Sequence, residues 1–239
     1  MENTIKKFLV VMALLSLTVV SCVVTPFEGR IRSHSDEVSL EGAESVQAEV
    51  LMGAGKLVVE DGATLLMEGD FTYSHPEYAP DIDYRVRSNE VGILDIKQED
   101  KPGINVNTNY RNDWFLKFNQ DVLLDLDITL GAGESDLDLS ELNLASFKLQ
   151  MGAGEANVNL NGDYLDDFDV DIQGGVGELT VLLPDETNLI IEVQGGLGEI
   201  NTQGLDRDGN LYVSEYSGSG PVLYLSISAG IGELNLLVQ

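Results

Sequence analysis

Alternation of apolar and polar residues is the dominant pattern of this chain, and residues 123–160 show it twice. The two copies read LLDLDITLGAGESDLDLS and ASFKLQMGAGEANVNL. Each is an alternating stretch, a Gly-Ala-Gly-Glu box and a second alternating stretch. A period of two places apolar side chains on one face of a β-strand. No helical period of any length follows residue 21, so the sequence predicts an all-β protein.

The box recurs along the chain at nearly constant spacing. Three later copies replace the alanine by valine, leucine or isoleucine, and an early relative reads Gly-Ala-Gly-Lys. Consecutive central boxes are 21, 23 and 21 residues apart, and the last gap is 34. We interpret that gap as one coil plus a protruding hairpin at residues 203–220. Numbering starts from the second glycine of each box: Gly55, Gly133, Gly154, Gly177, Gly198 and Gly232.

Apolar residues recur nine, seven and five positions before that glycine, and two and four positions after it. Around Gly154 they are Ala145, Phe147, Leu149, Ala156 and Val158. A fixed period with an apolar face on both sides of a turn is typical of a solenoid, whose coils bury their faces on each other. We therefore predict a β-solenoid of stacked short strands with repeats of about 21 residues.

Glycine is expected at the corners of such a solenoid for two reasons. Equivalent corners stack about 4.8 Å apart. Glycine also permits a bend with positive φ without a Cβ clash. The predicted structural turns are Gly133, Gly154, Gly177, Gly198 and Gly232.

The N-terminus carries an export signal. Lys6 and Lys7 precede an apolar run at residues 8–20, which is too short to span a bilayer comfortably. Residues 19–22, Val-Val-Ser-Cys, resemble the bacterial lipobox, and Cys22 is the only cysteine of the chain. The resemblance implies that Cys22 is acylated. It also implies that a lipid anchor attaches the exported protein to the cell membrane or the outer membrane.

Four regions follow from these patterns. Residues 1–21 are a lipoprotein signal peptide, and residues 22–44, which lack any sustained period, are a tether. Residues 45–127 form an N-terminal β region, including a polar loop at residues 99–113. Residues 128–239 form the repeat solenoid.

The charge is strongly negative. The chain has 13 Lys and Arg against 41 Asp and Glu, a formal net charge of −28. Such a chain repels nucleic acid and anionic lipid head groups. The partners that its charge favours are cations, cationic peptides or a basic protein of the envelope, in addition to the membrane that holds the lipid anchor.

One acidic residue directly follows each of the later turns. Stacked coils would bring these side chains into a single column, a candidate cation-binding ladder. A solvated face that keeps an exposed sheet soluble explains the same pattern. The column consists of Glu134, Glu155, Glu178, Glu199 and Glu233.

Catalysis has little support in the sequence. The two histidines, His34 and His75, cannot supply a zinc cluster, and Cys22 is the only thiol. The motifs GGVGEL and GGLGEI lack the nine-residue period and the aspartate of the calcium-binding GGxGxD repeat. We predict no catalytic residue, no metal and no cofactor. The alternative function is a carbohydrate-active β-helix enzyme.

The segment NDWFLKFNQDVLLDLDITLGAGESDLDLSELNLASFKLQMGAGEANVNL resembles the toast-rack family of bacterial envelope proteins. That family is related to the cell-wall-active antibiotics response proteins. The resemblance implies a stack of short β-strands and a non-catalytic scaffold or binding module linked to envelope stress or adhesion. The signalling relatives carry membrane-spanning helices before this domain, whereas this chain has a lipobox.

Overall fold

The computed structural model describes residues 31–98, 110–214 and 218–239. The predicted signal peptide, Cys22, the start of the tether and most of the polar loop lie outside the described residues. Within them the chain forms one short 3-10 turn, Pro76–Tyr78, and thirteen strands. The strands are β1 (Arg32–Val38), β2 (Ser45–Asp61), β3 (Met67–Tyr73), β4 (Pro80–Val86), β5 (Val91–Gln98), β6 (Asn112–Phe118), β7 (Leu123–Asp138), β8 (Leu144–Asn159), β9 (Phe168–Leu183), β10 (Asn188–Gln203), β11 (Leu205–Asp208), β12 (Leu211–Ser214) and β13 (Val222–Val238).

Six strands of 16 or 17 residues build the body of the protein: β2, β7, β8, β9, β10 and β13. They pair in parallel and in register, so their glycine boxes lie side by side. In β7 the buried positions include Leu126, Ile128 and Leu130 before the box, and Ser135 and Leu137 after it. Because Ser135 follows Leu130 by an odd number of positions, the buried side chains before and after the box point to opposite faces of the strand.

Each long strand therefore bends at its box into two limbs that enclose a common interior. We call the part before the box the first limb and the part after it the second limb. This arrangement confirms the predicted all-β, solenoid-like fold.

The order of the coils differs from the order along the chain. The six long strands follow one another as β2, β7, β8, β9, β13 and β10. Strand β13 pairs with β9 on one side and with β10 on the other. The last two coils are therefore inverted relative to the sequence, because β13 lies between β9 and β10. Because all coils share one register, the last coil fits between two earlier ones.

The segment inserted before β13 is a hairpin that belongs to the sheet. Strand β12 pairs with the first limb of β10, and β11 pairs with β12. Tyr212 of β12 is buried, with 1% of its surface exposed. The predicted hairpin is present, but the prediction that it protrudes is wrong: β11 and β12 extend the sheet beyond β10, the last coil.

At the opposite end the solenoid divides. Strand β5 pairs with the first limb of β2 and then with β4, whereas β6 pairs with the second limb of β2 and then with β3. Strand β1 pairs with β3, so Arg32–Val38 lies in the sheet. The prediction that the tether extends to residue 44 is wrong for this part. Asn112 and Asp113, predicted in the polar loop, belong to β6.

One hydrophobic cluster runs through the described residues, from Val38 to Leu236. The boundary proposed between residues 127 and 128 falls inside β7 and does not separate two cores. Most of the predicted apolar positions are buried, but Ala145 is exposed because the pairing of β7 with β8 shifts there and brings Leu144 opposite Leu124. Thr202 is also exposed, because the second limb of β10 is an edge. In the described residues, none of the helical segments has the length and hydrophobicity needed to span a membrane.

Candidate functional site

The bends of the long strands form a row of glycine corners along one end of the coils. Gly154 has a φ of 134°, and a Cβ there would overlap the carbonyl oxygen of Gly133 in the adjacent coil. The first glycine of the same box, Gly152, meets the carbonyl oxygen of Gly131 in the same way although its φ is not positive. Close approach of the backbones therefore requires both glycines of the box. Sequence reasoning identified only the second of them.

The acidic column lies directly beside these corners. Glu155 pairs with Glu134 on one side and with Glu178 on the other, while Glu233 lies between Glu178 and Glu199. All five side chains are exposed. The structure thus brings the predicted residues together, with the last two in reversed order.

The column has one cationic end. Lys56 occupies the equivalent position in β2, where its Nζ lies 2.9 Å from Asp136 and 3.9 Å from Glu134. A side-chain hydrogen bond from Lys56 holds the pKa of Asp136 below its usual value. Glu134 is the only member of the column with a cationic partner among the described residues.

Amide side chains accompany the rest of the column. Asn201 donates to Glu233 at 2.9 Å, and Asn235 donates to Glu178 at 3.3 Å, each across neighbouring strands. The amide groups are neutral, so they donate hydrogen bonds to the carboxylates without neutralising their charge. No group of three or more potential ligands arranged to hold a metal ion occurs among the described residues. Within the described residues, the second half of the column therefore has amide donors beside it and no cationic side chain.

The corner of the first coil is closed by a buried polar network. Asn112, 1% exposed, donates to the side chain of Gln98 at 3.0 Å and to the carbonyl oxygen of Ala54 at 2.8 Å. The indole of Trp114 donates to Asn112 at 2.9 Å, and Gln98 accepts from the backbone of Gly53 at 3.1 Å. Within the described residues, none of these side chains leaves a buried polar atom without a hydrogen-bond partner. We call this end of the solenoid the sealed end.

The interior of the next corners is filled by one large apolar side chain per coil. The residue three positions before the second glycine of the box is Met52 in β2, Leu130 in β7 and Met151 in β8. All three are buried, at 0%, 0% and 7% exposure. We call this position the corner plug.

The plug is missing from the last three coils. Gly174 in β9, Ala229 in β13 and Gly195 in β10 occupy the same position. An apolar pocket of about 50 Å³ opens beside Gly174 and Ala229, with Met151, Leu179 and Leu234 among its lining residues. The signal was present in the sequence as the change from Met-Gly-Ala-Gly-Glu to Gly-Gly-Val-Gly-Glu. Its meaning as a missing core side chain depends on the stacking of the coils, which a single repeat does not show.

The two histidines lie on separate elements, His34 on β1 and His75 before the 3-10 turn. His34 lies 3.0 Å from Asp36 and stacks on Phe71 with ring centroids 5.1 Å apart. His75 lies 3.7 Å from Glu77. Each histidine thus pairs with a carboxylate two residues away, and the structure does not bring them into one site.

The chain matches the model of the N-terminal domain of toast_rack, DUF2154, over residues 27–182. It belongs to the toast-rack family. Among solved structures, a candidate cell adhesion protein from Clostridium sporogenes is 33% identical, with a TM-score of 0.84, and the match covers 88% of this toast-rack chain and 100% of the other.

Two more distant structures also align. A candidate adhesin from Bacteroides fragilis is 12% identical with a TM-score of 0.35, over 87% of this chain and 97% of that one. A candidate lipid-binding protein from Parabacteroides distasonis is 13% identical with a TM-score of 0.35, over 88% and 97% of the two chains. Neither likeness supports a functional argument. No curated protein matches the chain.

Proposed function

We propose that this toast-rack protein is a non-catalytic adhesion module of the bacterial envelope, anchored through acylated Cys22. The observation that carries the proposal is the likeness to the Clostridium sporogenes protein, which extends over the whole of that chain at 33% identity. Its description as a candidate cell adhesion protein favours adhesion over envelope-stress signalling as the work of the present chain.

The surface of the described solenoid suits such a role. A continuous sheet of long, in-register strands presents equivalent positions of successive coils side by side. The exposed column of glutamates makes one flank of that sheet an extended anionic surface. Complementary charge raises the rate of encounter with a partner and selects basic partners over acidic ones. The preferred partner is therefore a basic protein or peptide segment on an opposing surface.

Surface display tests the proposal. The full chain and its Cys22→Ala variant would be expressed in a non-adherent bacterial host and exposed to immobilised basic and acidic envelope proteins. On the basic proteins, retention of displaying cells should exceed that of empty-vector cells. Cys22→Ala should release the protein from the cell surface and abolish this increase in retention. Retention equal to that of the empty-vector host would contradict adhesion. Release of sugar products from a glycan panel would instead favour the enzyme alternative.

A further inference from the structure

The unplugged corners have space for a guest group. A Cβ added at Gly174 would meet no atom within 4 Å, and the backbone of Gly174 does not have a positive φ. A side chain at this position would thus cause neither a clash nor backbone strain. The equivalent residue of the neighbouring coil β8, Met151, is buried. The pocket thus occupies the space that a core side chain fills in the neighbouring coil.

The pocket is also open to a partner. Val176 and Ile231, two of its lining residues, are each 55% exposed. They replace the alanines that precede the second glycine in β2, β7 and β8. Aliphatic side chains thus surround the opening of an apolar pocket, an arrangement that costs solvation free energy until another apolar group covers it.

The charge beside the pocket restricts the class of guest. Glu178, Glu199 and Glu233 are among its lining residues, and all three are exposed. Among the described residues, Glu178 and Glu233 accept hydrogen bonds from amide side chains, whereas the cationic Lys56 pairs at the far end of the column. A second copy of this chain would bring the same glutamates and a net charge of −28. Like charges therefore oppose self-association at this surface.

We infer that the pocket beside Gly174 and Ala229 receives one aliphatic side chain of a cationic partner segment, with the flanking Lys or Arg beside Glu178 and Glu233. A volume of about 50 Å³ suits the end of a single Leu, Ile, Val or Met side chain. The inference rests on the proposed function as a binding module. The pocket is the place where that module would bind an apolar residue within a basic segment of its partner.

Peptide binding tests the inference directly. The probe is a fluorescein-labelled Gly-Ser-Lys-Lys-Leu-Lys-Lys-Ser-Gly, compared with the same peptide carrying Ser in place of Leu. Wild type should bind the Leu peptide about tenfold more tightly, the value of burying part of one leucine. Gly174→Leu should fill the pocket, raise the melting temperature and remove the difference between the two peptides. Equal binding of both peptides to wild type would overturn the inference.

A matched pair of double variants separates the pocket from the general charge. The double variant Glu178→Gln, Glu233→Gln should weaken the binding of both peptides. The control double variant Glu134→Gln, Glu155→Gln should leave the preference for the Leu peptide intact. Methyl NMR of the wild type gives a readout that needs no variant. The Leu peptide should shift the methyl signals of Val176, Leu179, Ile231 and Leu234, and unchanged signals would contradict docking at the pocket.

Adhesion of displaying cells distinguishes the two proposals. If displaying cells adhere to basic proteins while the purified protein binds the Leu and Ser peptides equally, the inference about the pocket is wrong and the adhesion function stands. If cells that display wild type never adhere while the purified protein prefers the Leu peptide, the proposed function is wrong and the pocket stands.

Discussion

The interior of the glycine corner is filled at one end of the solenoid and open at the other. At the β2 end, the Asn112 network and the buried plugs Met52, Leu130 and Met151 fill the interior. At the β9, β13 and β10 end, the plug is Gly or Ala and the interior is an open pocket. The backbone register is nevertheless continuous from one end to the other. One repeating scaffold can thus be all core at one end and carry a binding cavity at the other.

The largest effect should come from a matched glycine pair. Gly154→Ala would place a Cβ against the carbonyl oxygen of Gly133 at a φ of 134°, so unfolding free energy should fall by about 3 kcal/mol. Gly174→Ala should have the opposite sign and stabilise by about 0.5 to 1 kcal/mol, because its site has space and an ordinary backbone. Chemical denaturation of both variants gives the comparison. Equal destabilisation would remove the distinction between the two corner types.

The sealed end should be nearly as sensitive. Asn112→Leu would leave the indole of Trp114 and the side chain of Gln98 without their buried partner, at a cost of about 2 to 3 kcal/mol. Asn157→Leu is the control, since Asn157 is an exposed amide on β8. It should change stability by less than about 0.5 kcal/mol. Similar urea midpoints for the two variants would contradict the role given to the network.

A smaller gain is available inside the filled part of the solenoid. Ser135 is 1% exposed, and its hydroxyl has no hydrogen-bond partner. In the next coil Ala156 occupies the same position. Ser135→Ala should therefore raise the free energy of unfolding by about 1 kcal/mol. A lower free energy of unfolding for Ser135→Ala would contradict this prediction, because it would show that the Ser135 hydroxyl makes a stabilising hydrogen bond.

The smallest effect concerns the cationic end of the acidic column. Lys56→Gln removes partly exposed ion pairs to Asp136 and Glu134 and should cost less than about 1 kcal/mol. Because Lys56 lowers the pKa of Asp136, this contribution is present above the unfolded pKa and disappears as the pH falls through the folded pKa. Melting temperatures of both proteins between pH 7 and the acid range, at low and high salt, measure it. A difference that grows in acid would contradict this sign.

The sequence was sufficient for the coil but not for the order of the coils. Alternation and the recurring box predict the bend, the buried faces and the column of glutamates, because each depends on residues within one repeat. Stacking order depends on contacts between repeats, and coils with one register are interchangeable as neighbours. Strand β13 can therefore lie between β9 and β10 without any local signal. Strand β1 was missed because RSHSDEV at an edge lacks alternating hydrophobicity.

The pocket needed both kinds of information. Glycine at the plug position is visible in the sequence, yet only the stacking order of the coils shows that Ala229 of β13 lies next to Gly174 and that a pocket opens beside them. Tyr212 shows the same dependence, because its burial follows from the pairing of β12 with β10.

Crystals of the wild-type protein pressurised with xenon test the central claim most directly, because xenon binds in apolar cavities and the experiment needs no substitution. The account predicts a xenon peak between Met151, Leu179 and Leu234, and none at the corners of β2, β7 and β8. A xenon atom at those plugged corners, or an empty pocket at Gly174, would contradict it.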